Sequence, residues 1–218
     1  MIGKLIEMSS LGVYRLGDRL VFQPLMKISD LLSRSLLSSY SKVQNNNLRL
    51  KRGYIASIKY LCLIIFPIAT GLTIIAPELI KVLLGNKWLD TIPIIQLLAA
   101  VGVFTNVINF GSSVCYAKGV PGVVMNSNLL VLIFQFPFII ILAKYGIIYV
   151  ASVVLGVTIL HFLIIQNSVN KLLDLHWTHL FRELSVTLYI TIFMGFITFC
   201  MRVFLISNFT NIYIILII

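Results

Sequence analysis

The residues best suited to chemistry lie in one segment, residues 11–42, which is apolar but also carries charged side chains at helical spacing. On a helix these charges fall within about one half of the circumference, and aliphatic side chains occupy the other half. Ammonium and guanidinium groups in a poorly hydrated cavity bind anions, and the planar fork of arginine suits phosphate oxygens. This charged helix is therefore predicted to line a cavity for an anionic ligand. Its charged positions are Arg15, Asp18, Arg19, Lys27, Asp30 and Arg34, opposite Leu20, Val21, Leu25, Ile28, Leu31, Leu32 and Leu36.

Ion pairs within the charged helix set the net charge of that cavity. Asp18 is predicted to pair with Arg15, and Asp30 with Lys27 or Arg34, so two cations stay free for an anion. A charge at the bilayer centre costs about 2.5–3.5 kcal/mol on insertion scales, so the charged side must face protein or a wet cavity. The alternative is a helix lying on the membrane surface. The apolar neighbouring segments favour a place inside a bundle.

The composition is that of an integral membrane protein. The chain has 218 residues, of which 59% are hydrophobic and 11% charged, and its mean hydropathy is +1.02. Soluble domains average about 25% charged residues. The net charge of +10 is scattered between apolar runs and forms no basic stripe, so nucleic acid is not an expected partner. The three cysteines, Cys62, Cys115 and Cys200, show no metal-ligand spacing, and no metal or cofactor site is predicted.

The apolar runs predict an all-α fold, a single membrane domain over residues 1–218 with about six full spans and a truncated last one. Residues 76–88, with Pro77 early and Gly85 as the stop, predict a short amphipathic helix on the outer surface. Residues 118–122 predict a tight turn. Pro24 and Pro67 predict kinks. Residues 167–183 are predicted to be a loop. The expected spans are 11–42, 55–75, 91–117, 124–142, 147–165 and 184–205, with another begun at 211–218.

The distribution of cations predicts the topology. Residues 43–53 are basic and carry no acid, which is typical of a cytoplasmic loop. Alternation of spans then places residues 76–90 outside. Both ends of the chain look cut, so a partial chain is expected. The cations predicted inside are Lys42, Arg49, Lys51, Arg52, Lys118, Lys171 and Arg182, and those predicted outside are Lys81, Lys87, Lys144 and Arg202.

Other polar residues in the spans predict packing rather than catalysis. His161 lies alone in an apolar span and is expected to hydrogen-bond to a neighbouring helix. His176 and His179 are expected at the membrane interface rather than on a metal. No catalytic constellation is recognisable, so an enzyme is not predicted. Polar side chains expected to face the bundle are Gln96, Asn106, Asn109, Ser112 and Ser113.

The order of several short motifs resembles the C-terminal lobe of the polysaccharide transporter family, the bacterial flippases of lipid-linked oligosaccharides, over about residues 2–121. The family belongs to the multidrug/oligosaccharidyl-lipid/polysaccharide exporter superfamily. Two departures from its pattern are Ser38, where a proline is usual, and Val120, where an arginine is usual. The motifs are Leu11-Gly12-Val13-Tyr14 with Leu16, Arg19, Leu20 and Pro24, Ser41-Lys42-Val43-Gln44, Phe66-Pro67 with Gly71-Leu72, Ala76-Pro77-Glu78-Leu79, Leu83-Leu84-Gly85-Asn86-Lys87-Trp88 with Pro93, and Ala117-Lys118-Gly119.

The resemblance implies a multi-pass protein of the bacterial inner membrane that forms one lobe of a two-lobe flippase, surrounded by membrane lipid. It implies a polyprenyl-diphosphate-linked oligosaccharide as ligand, such as an O-antigen or lipopolysaccharide precursor, and a missing N-terminal lobe or another copy as partner. Arg15, Arg19, Lys27 and Arg34 are then expected to bind the diphosphate. The alternatives are an inactive remnant, a multidrug-extrusion-like antiporter with a net acidic cavity, and a membrane-embedded glycosyl- or acyltransferase.

Overall fold

The chain folds entirely into helices within the part that the computed structural model describes, which is the backbone of residues 8–208 and the side chains of residues 12–33 and 35–204. The all-α prediction is confirmed. The helices are α1 (Met8–Gly17), α2 (Gln23–Lys42), α3 (Asn47–Leu83), α4 (Ile92–Ala117), α5 (Pro121–Leu142), α6 (Ile147–Leu173) and α7 (Trp177–Asn208), with a π turn at Asp18–Phe22 and 3-10 turns at Asn86–Thr91 and Ala143–Tyr145.

Local chemistry sets the ends of these helices. The Asn46 side chain accepts a hydrogen bond from the Arg49 backbone N–H at 3.0 Å, which caps the N-terminus of α3. At Gly85 the backbone has φ of 82°, a conformation that only glycine adopts without strain, and α3 has ended two residues earlier. Gly119, with φ of 72°, makes the tight turn between α4 and α5. The stop at Gly85 and the turn at Gly119 were both predicted from the sequence.

Helix α4 forms the centre of the bundle. It packs against α2, α3 and α6, while α5 packs on the outer side of α6, and α7 packs on α3. The largest buried side chains accordingly lie on α3, α4 and α6, together with Leu25 of α2. Many aromatic and aliphatic side chains of α5 and α7 are exposed, as lipid-facing helices require, among them Phe134, Phe138 and Phe193.

Five helical segments in the described part are long and apolar enough to cross a membrane: Asn47–Leu83, Asn86–Ala117, Pro121–Tyr145, Ile147–Leu173 and Trp177–Phe204. They correspond to the second to sixth predicted spans. The predicted total of six full spans is not confirmed. The charged helix, which was predicted as the first span, is not among these five segments because charged residues recur along it. The span begun at 211–218 lies outside the described residues.

Two predicted boundaries are wrong. Residues 76–83 are not a separate surface helix but the last two turns of α3, which continues through Pro67 and Pro77. At 1.5 Å per residue α3 is about 55 Å long, so its ends extend beyond a hydrocarbon core of about 30 Å. Residues 167–183 are not a loop either, since only residues 174–176 separate α6 from α7. In both places polar side chains lie on helix turns near the end of an apolar segment, which the sequence does not distinguish from loops.

Three connections meet at one end of the bundle, which we call the basic end: residues 43–46, 118–120 and 174–176. Lys118 Nζ donates to the Gln44 carbonyl at 2.8 Å and also contacts the Asn47 side chain. Lys51 Nζ donates to the Asp174 carbonyl at 2.6 Å. The connections that were predicted to share the cytoplasmic side therefore lie together.

Two ion pairs join α7 to α3 at opposite ends. Glu78 on α3 pairs with Arg202 on α7 at 2.8 Å at the far end, and Lys59 pairs with Glu183 at 3.5 Å toward the basic end. The two pairs lie about 28 Å apart along each helix, close to the hydrocarbon thickness. These two ion pairs fix the position of α7 along α3. Each pair lies where its charged groups can still reach the headgroup layer.

We predict that the basic end faces the cytoplasm. Asn46 and Asn86 are both exposed, at the basic end and the far end, and each can carry a test cysteine in a chain whose three native cysteines are replaced. An impermeant maleimide added to intact cells should label Asn86→Cys, and should label Asn46→Cys only after permeabilisation. The reverse pattern would invert the topology.

Candidate functional site

The charged helix is held against α4 by small and aliphatic residues at a spacing of four. Gly17, Val21, Leu25 and Ser29 are buried on this contact. Opposite them, a Cβ on Gly102 of α4 would lie 2.8 Å from Leu25 Cδ1, so the glycine is needed for the two helices to approach. Gly17 similarly lies against Leu98 and Ile94.

A π turn interrupts the charged helix just before Pro24. Proline has no N–H to donate to the carbonyl four residues back, and its ring crowds that carbonyl. The turn at Asp18–Phe22 relieves this conflict, because the Gln23 backbone N–H bonds to the Asp18 carbonyl five residues back. Such insertions are places where helices bend. The distortion predicted at Pro24 is therefore observed about one turn earlier, at the π turn.

The π turn also changes the partner of Asp18. Residues five apart stack in a π turn, and the Asp18 carboxylate accepts a hydrogen bond from Gln23 Nε2 at 3.0 Å. The predicted Asp18–Arg15 ion pair is not formed, and neither is an Asp30–Lys27 pair; the ion pairs of the described side chains are the two that join α3 and α7. The ion pairs expected for a regular α-helix therefore do not form around the π turn.

The predicted anion-binding cations do not gather in one cavity. Arg15, Arg19 and Lys27 are exposed, and within the described part of the chain their side chains have no ion-pair or hydrogen-bond partner. The side chain of Arg34 lies outside the described set. The sequence predicted two free cations, with Arg15 paired to Asp18, whereas these three cations are all unpaired in the described structure. A second wall opposite them is not part of the described bundle.

A polar cleft of about 460 Å³ lies among α2, α4, α5 and α6, in the half of the bundle nearer the basic end. The α4 contribution, Thr105, Asn109, Ser112 and Tyr116, follows helical spacing along one face. The predictions that Asn106, Asn109, Ser112 and Ser113 face the bundle are confirmed. Gln96 is exposed, but its Nε2 donates to the Thr73 carbonyl of α3 at 3.3 Å. The cleft is lined by Asp30, Ser33, Leu37, Thr105, Ile108, Asn109, Ser112, Ser113, Tyr116, Val124, Asn128, Thr158 and His161.

Hydrogen bonds between helices shape the cleft. Asn109 Nδ2 donates to Ser29 Oγ at 3.4 Å, which joins α4 to α2. His161 Nε2 and Ser127 Oγ lie 3.2 Å apart and join α6 to α5, so the prediction that His161 bonds to a neighbouring helix is confirmed. The sequence did not identify Asn128, Thr158 or His161 as residues of one site, since they come from separate spans.

The chemistry of this cleft is hydrogen bonding. Amides, hydroxyls and the imidazole can donate or accept, Asp30 contributes a carboxylate, and no described Lys or Arg lines the cleft. Such a set suits a hydroxylated ligand better than a diphosphate. No group of three or more potential metal-ligating side chains occurs among the described residues.

The fold defines a polytopic helical membrane protein with a polar cleft between its helices. Residues 1–93 match the family model described as "Polysaccharide biosynthesis protein". The chain is also 33% identical over 119 residues to the teichuronic acid biosynthesis protein TuaB of Bacillus subtilis (strain 168), an alignment covering 55% of this chain and 25% of the relative. The predicted relationship to the polysaccharide transporter family is thereby confirmed over about half of the chain.

Two further relatives align over a similar region. Identity is 26% over 118 residues to the lipopolysaccharide biosynthesis protein WzxC of Escherichia coli (strain K12), and 30% over 118 residues to an uncharacterized membrane protein in the cps region of Klebsiella pneumoniae. Each alignment covers 54% of this chain and 24% of the relative. No solved structure matches the chain significantly. The multi-pass placement predicted from the sequence is confirmed, and the bacterial relatives agree with the inner membrane.

We predict that Gly102→Ala loosens the contact between the charged helix and α4. The new methyl group would overlap Leu25, which is 1% exposed and has no free space, at a cost of about 1–3 kcal/mol. Gly156→Ala is the matched control, because its Cβ meets nothing within 4 Å and alanine favours a helix by about 0.5–1 kcal/mol. Thermal unfolding in detergent should show opposite signs for the two variants. Equal melting temperatures would contradict the close packing.

Proposed function

We propose that this chain forms one lobe of a flippase that exports a lipid-linked oligosaccharide across the bacterial inner membrane. The observation that carries the proposal is the face of the charged helix with Arg15, Arg19 and Lys27 exposed and unpaired in the described bundle. Charges facing lipid cost several kcal/mol each unless they reach water, headgroups or a partner. A second lobe, either an N-terminal lobe or another copy, would enclose them in a wet cavity.

In this proposal the exposed face of the charged helix binds one part of the ligand, and the polar cleft binds the other part. The exposed arginines suit the diphosphate of a polyprenyl-linked glycan, since a guanidinium binds phosphate oxygens with two parallel hydrogen bonds. The neutral amides and hydroxyls of the cleft suit sugar hydroxyls. Family membership over residues 1–93, which include the charged helix, supports the assignment to polysaccharide export.

One observation favours a second candidate function, a cation antiporter. Asp30 lines the cleft, and no described Lys or Arg lines it. A carboxylate of this kind attracts a cationic solute. An antiporter of cationic compounds would lower the intracellular level of a cationic dye whether or not glycan is exported, and dye accumulation measured in the strains used below separates the two functions.

We predict that Arg19 is the most sensitive cation of the charged helix. In the native host, with the chromosomal copy replaced, Arg19→Ala should lower surface glycan at least tenfold, corresponding to the loss of one charged hydrogen bond of about 1.5–3 kcal/mol. Arg19→Lys should restore export only partly, because an ammonium lacks the fork geometry. Arg182→Ala, an exposed arginine at the start of α7, is the control and should export normally.

Both variants must reach the membrane at the level of the unsubstituted chain, measured by quantitative immunoblotting. Full surface glycan with Arg19→Ala at that level would remove Arg19 from the site. An equal loss with Arg182→Ala would mean that the effect comes from net charge rather than from the charged helix.

A further inference from the structure

Two cavities on the surface of α6 meet at Asn167. A polar cavity of about 360 Å³ lies at the connection between α6 and α7, where Lys171, Asp174 and His176 line it. An apolar groove of about 310 Å³ lies between α5 and α6, lined chiefly by aliphatic side chains. Asn167 lines both. The two cavities therefore adjoin, with the polar one nearer the basic end.

One face of α6 runs through both cavities. Val157, Leu160, Ile164, Asn167 and Lys171 recur at spacings of three and four, which places them in a row along the helix. The row is apolar within the span and becomes polar and then cationic at the basic end. This change in polarity along α6 matches a membrane lipid, whose acyl chain would lie along the apolar part and whose charged headgroup would lie at the basic end.

Trp177 marks the depth at which the gradient changes. Its indole Nε1 donates to Asn167 Oδ1 at 3.0 Å, so it is held at the junction of the two cavities. Its ring lies against Phe162 and Phe181, with centroids 6.1 and 6.0 Å away. Tryptophan concentrates at the boundary between headgroups and acyl chains. The junction at Asn167 is accordingly at the level of a glycerol backbone.

A chain of buried hydrogen bonds leaves one donor without a partner beside the polar cavity. The Tyr54 hydroxyl donates to Gln166 Oε1 at 2.7 Å, and Gln166 Nε2 donates to Asn170 Oδ1 at 2.9 Å. Asn170 Nδ2 then has no partner in the described structure, although Asn170 is only 8% exposed and lines the cavity. A buried amide without a partner is costly, and a phosphate oxygen in the cavity would satisfy it once the buried Nδ2 atom turned toward the cavity.

We propose that this composite site binds one phosphatidylethanolamine molecule, with an acyl chain in the α5–α6 groove and the headgroup in the polar cavity. Lys171 and Asn170 then hold the phosphate, and the Asp174 carboxylate accepts hydrogen bonds from the headgroup ammonium. Charges of both signs in one cavity match a zwitterionic headgroup better than a purely anionic one. The groove adjoins the polar cleft at His161, which lines both, but the proposal does not depend on the proposed export function.

The headgroup half is tested by native mass spectrometry of the purified full chain in detergent, titrated with phosphatidylethanolamine or phosphatidylglycerol. Lys171→Gln should weaken phosphatidylethanolamine binding about fivefold, the effect of about 1 kcal/mol for one cation at a membrane surface. Lys144→Gln, an exposed lysine at the far end, is the control and should bind as the unsubstituted chain. Asp174→Asn, which tolerates the left-handed backbone at this position, should remove the preference over phosphatidylglycerol.

The groove half is tested with Leu160→Trp, which fills the groove, against Leu132→Trp, an exposed position on α5 that does not line it. The first should lose bound lipid and the second should retain it, with helical content by circular dichroism unchanged in both. Equal retention in all the variants would overturn the site. Tighter binding of phosphatidylglycerol would overturn the zwitterionic assignment, and competition by soluble phosphoethanolamine as effective as that by the lipid would overturn the role of the groove.

Discussion

The cost of placing charge in a bilayer governs where the described part of the chain carries its ionic groups. Between their ends, α4, α5 and α6 contain no charged residue. Four charged residues of α3 and α7 pair across the two helices, Glu78 with Arg202 and Lys59 with Glu183. Others, such as Arg52, Lys81 and Arg182, have no ion-pair partner among the described side chains but lie within two turns of a helix end. The charged helix also carries unpaired cations, and Arg19 and Lys27 lie well inside its length. Unpaired cations so far from a helix end are the feature that function has to explain.

Close approach of helix backbones is the second constraint. Gly102 leaves room for Leu25 of α2. Gly111 leaves room for α6, because a Cβ at this position would lie 2.8 Å from Ile165 Cγ2. Both glycines lie on α4, so the central helix is held on two sides by contacts in which an added methyl group would overlap a neighbouring side chain. Bundles in lipid depend on such packing because lipid tails are as apolar as the side chains that they replace. The polar cleft lies beside these contacts, and its walls are therefore set by rigid parts of the bundle.

The sequence predicts the apolar spans, the stop at Gly85 and the turn at Gly119, because each follows from local hydrophobicity or backbone freedom. It also identifies the polar face of α4 through Asn109, Ser112 and Ser113. It does not predict the cleft, since Asn128 and His161 reach it only through the packing of α5 and α6. The change of partner at Asp18 escapes prediction as well, because the π turn that brings Gln23 into range arises from the conflict at Pro24.

Non-local geometry likewise explains why the predicted cation site and the observed cleft differ. A helical wheel places Asp30 beside Lys27 and Arg34, but it holds no information on which neighbouring helices cover which side. Packing of α4 places Asp30 at the cleft and leaves Lys27 exposed. The two halves of the proposed ligand, diphosphate and sugar, are separated by that packing rather than by the spacing of residues along the chain.

The most direct test of the account is export by this chain with and without a partner, in a strain that lacks its glycan exporter. Surface glycan is measured beside membrane extracts treated with a crosslinker. Because the exposed cations need a second wall, the chain should insert, should restore surface glycan only when it is crosslinked to another copy or to a co-expressed lobe, and should be inactive when it is crosslinked to neither. Restored surface glycan from a chain that stays monomeric would contradict the account and would require a complete pathway within these helices.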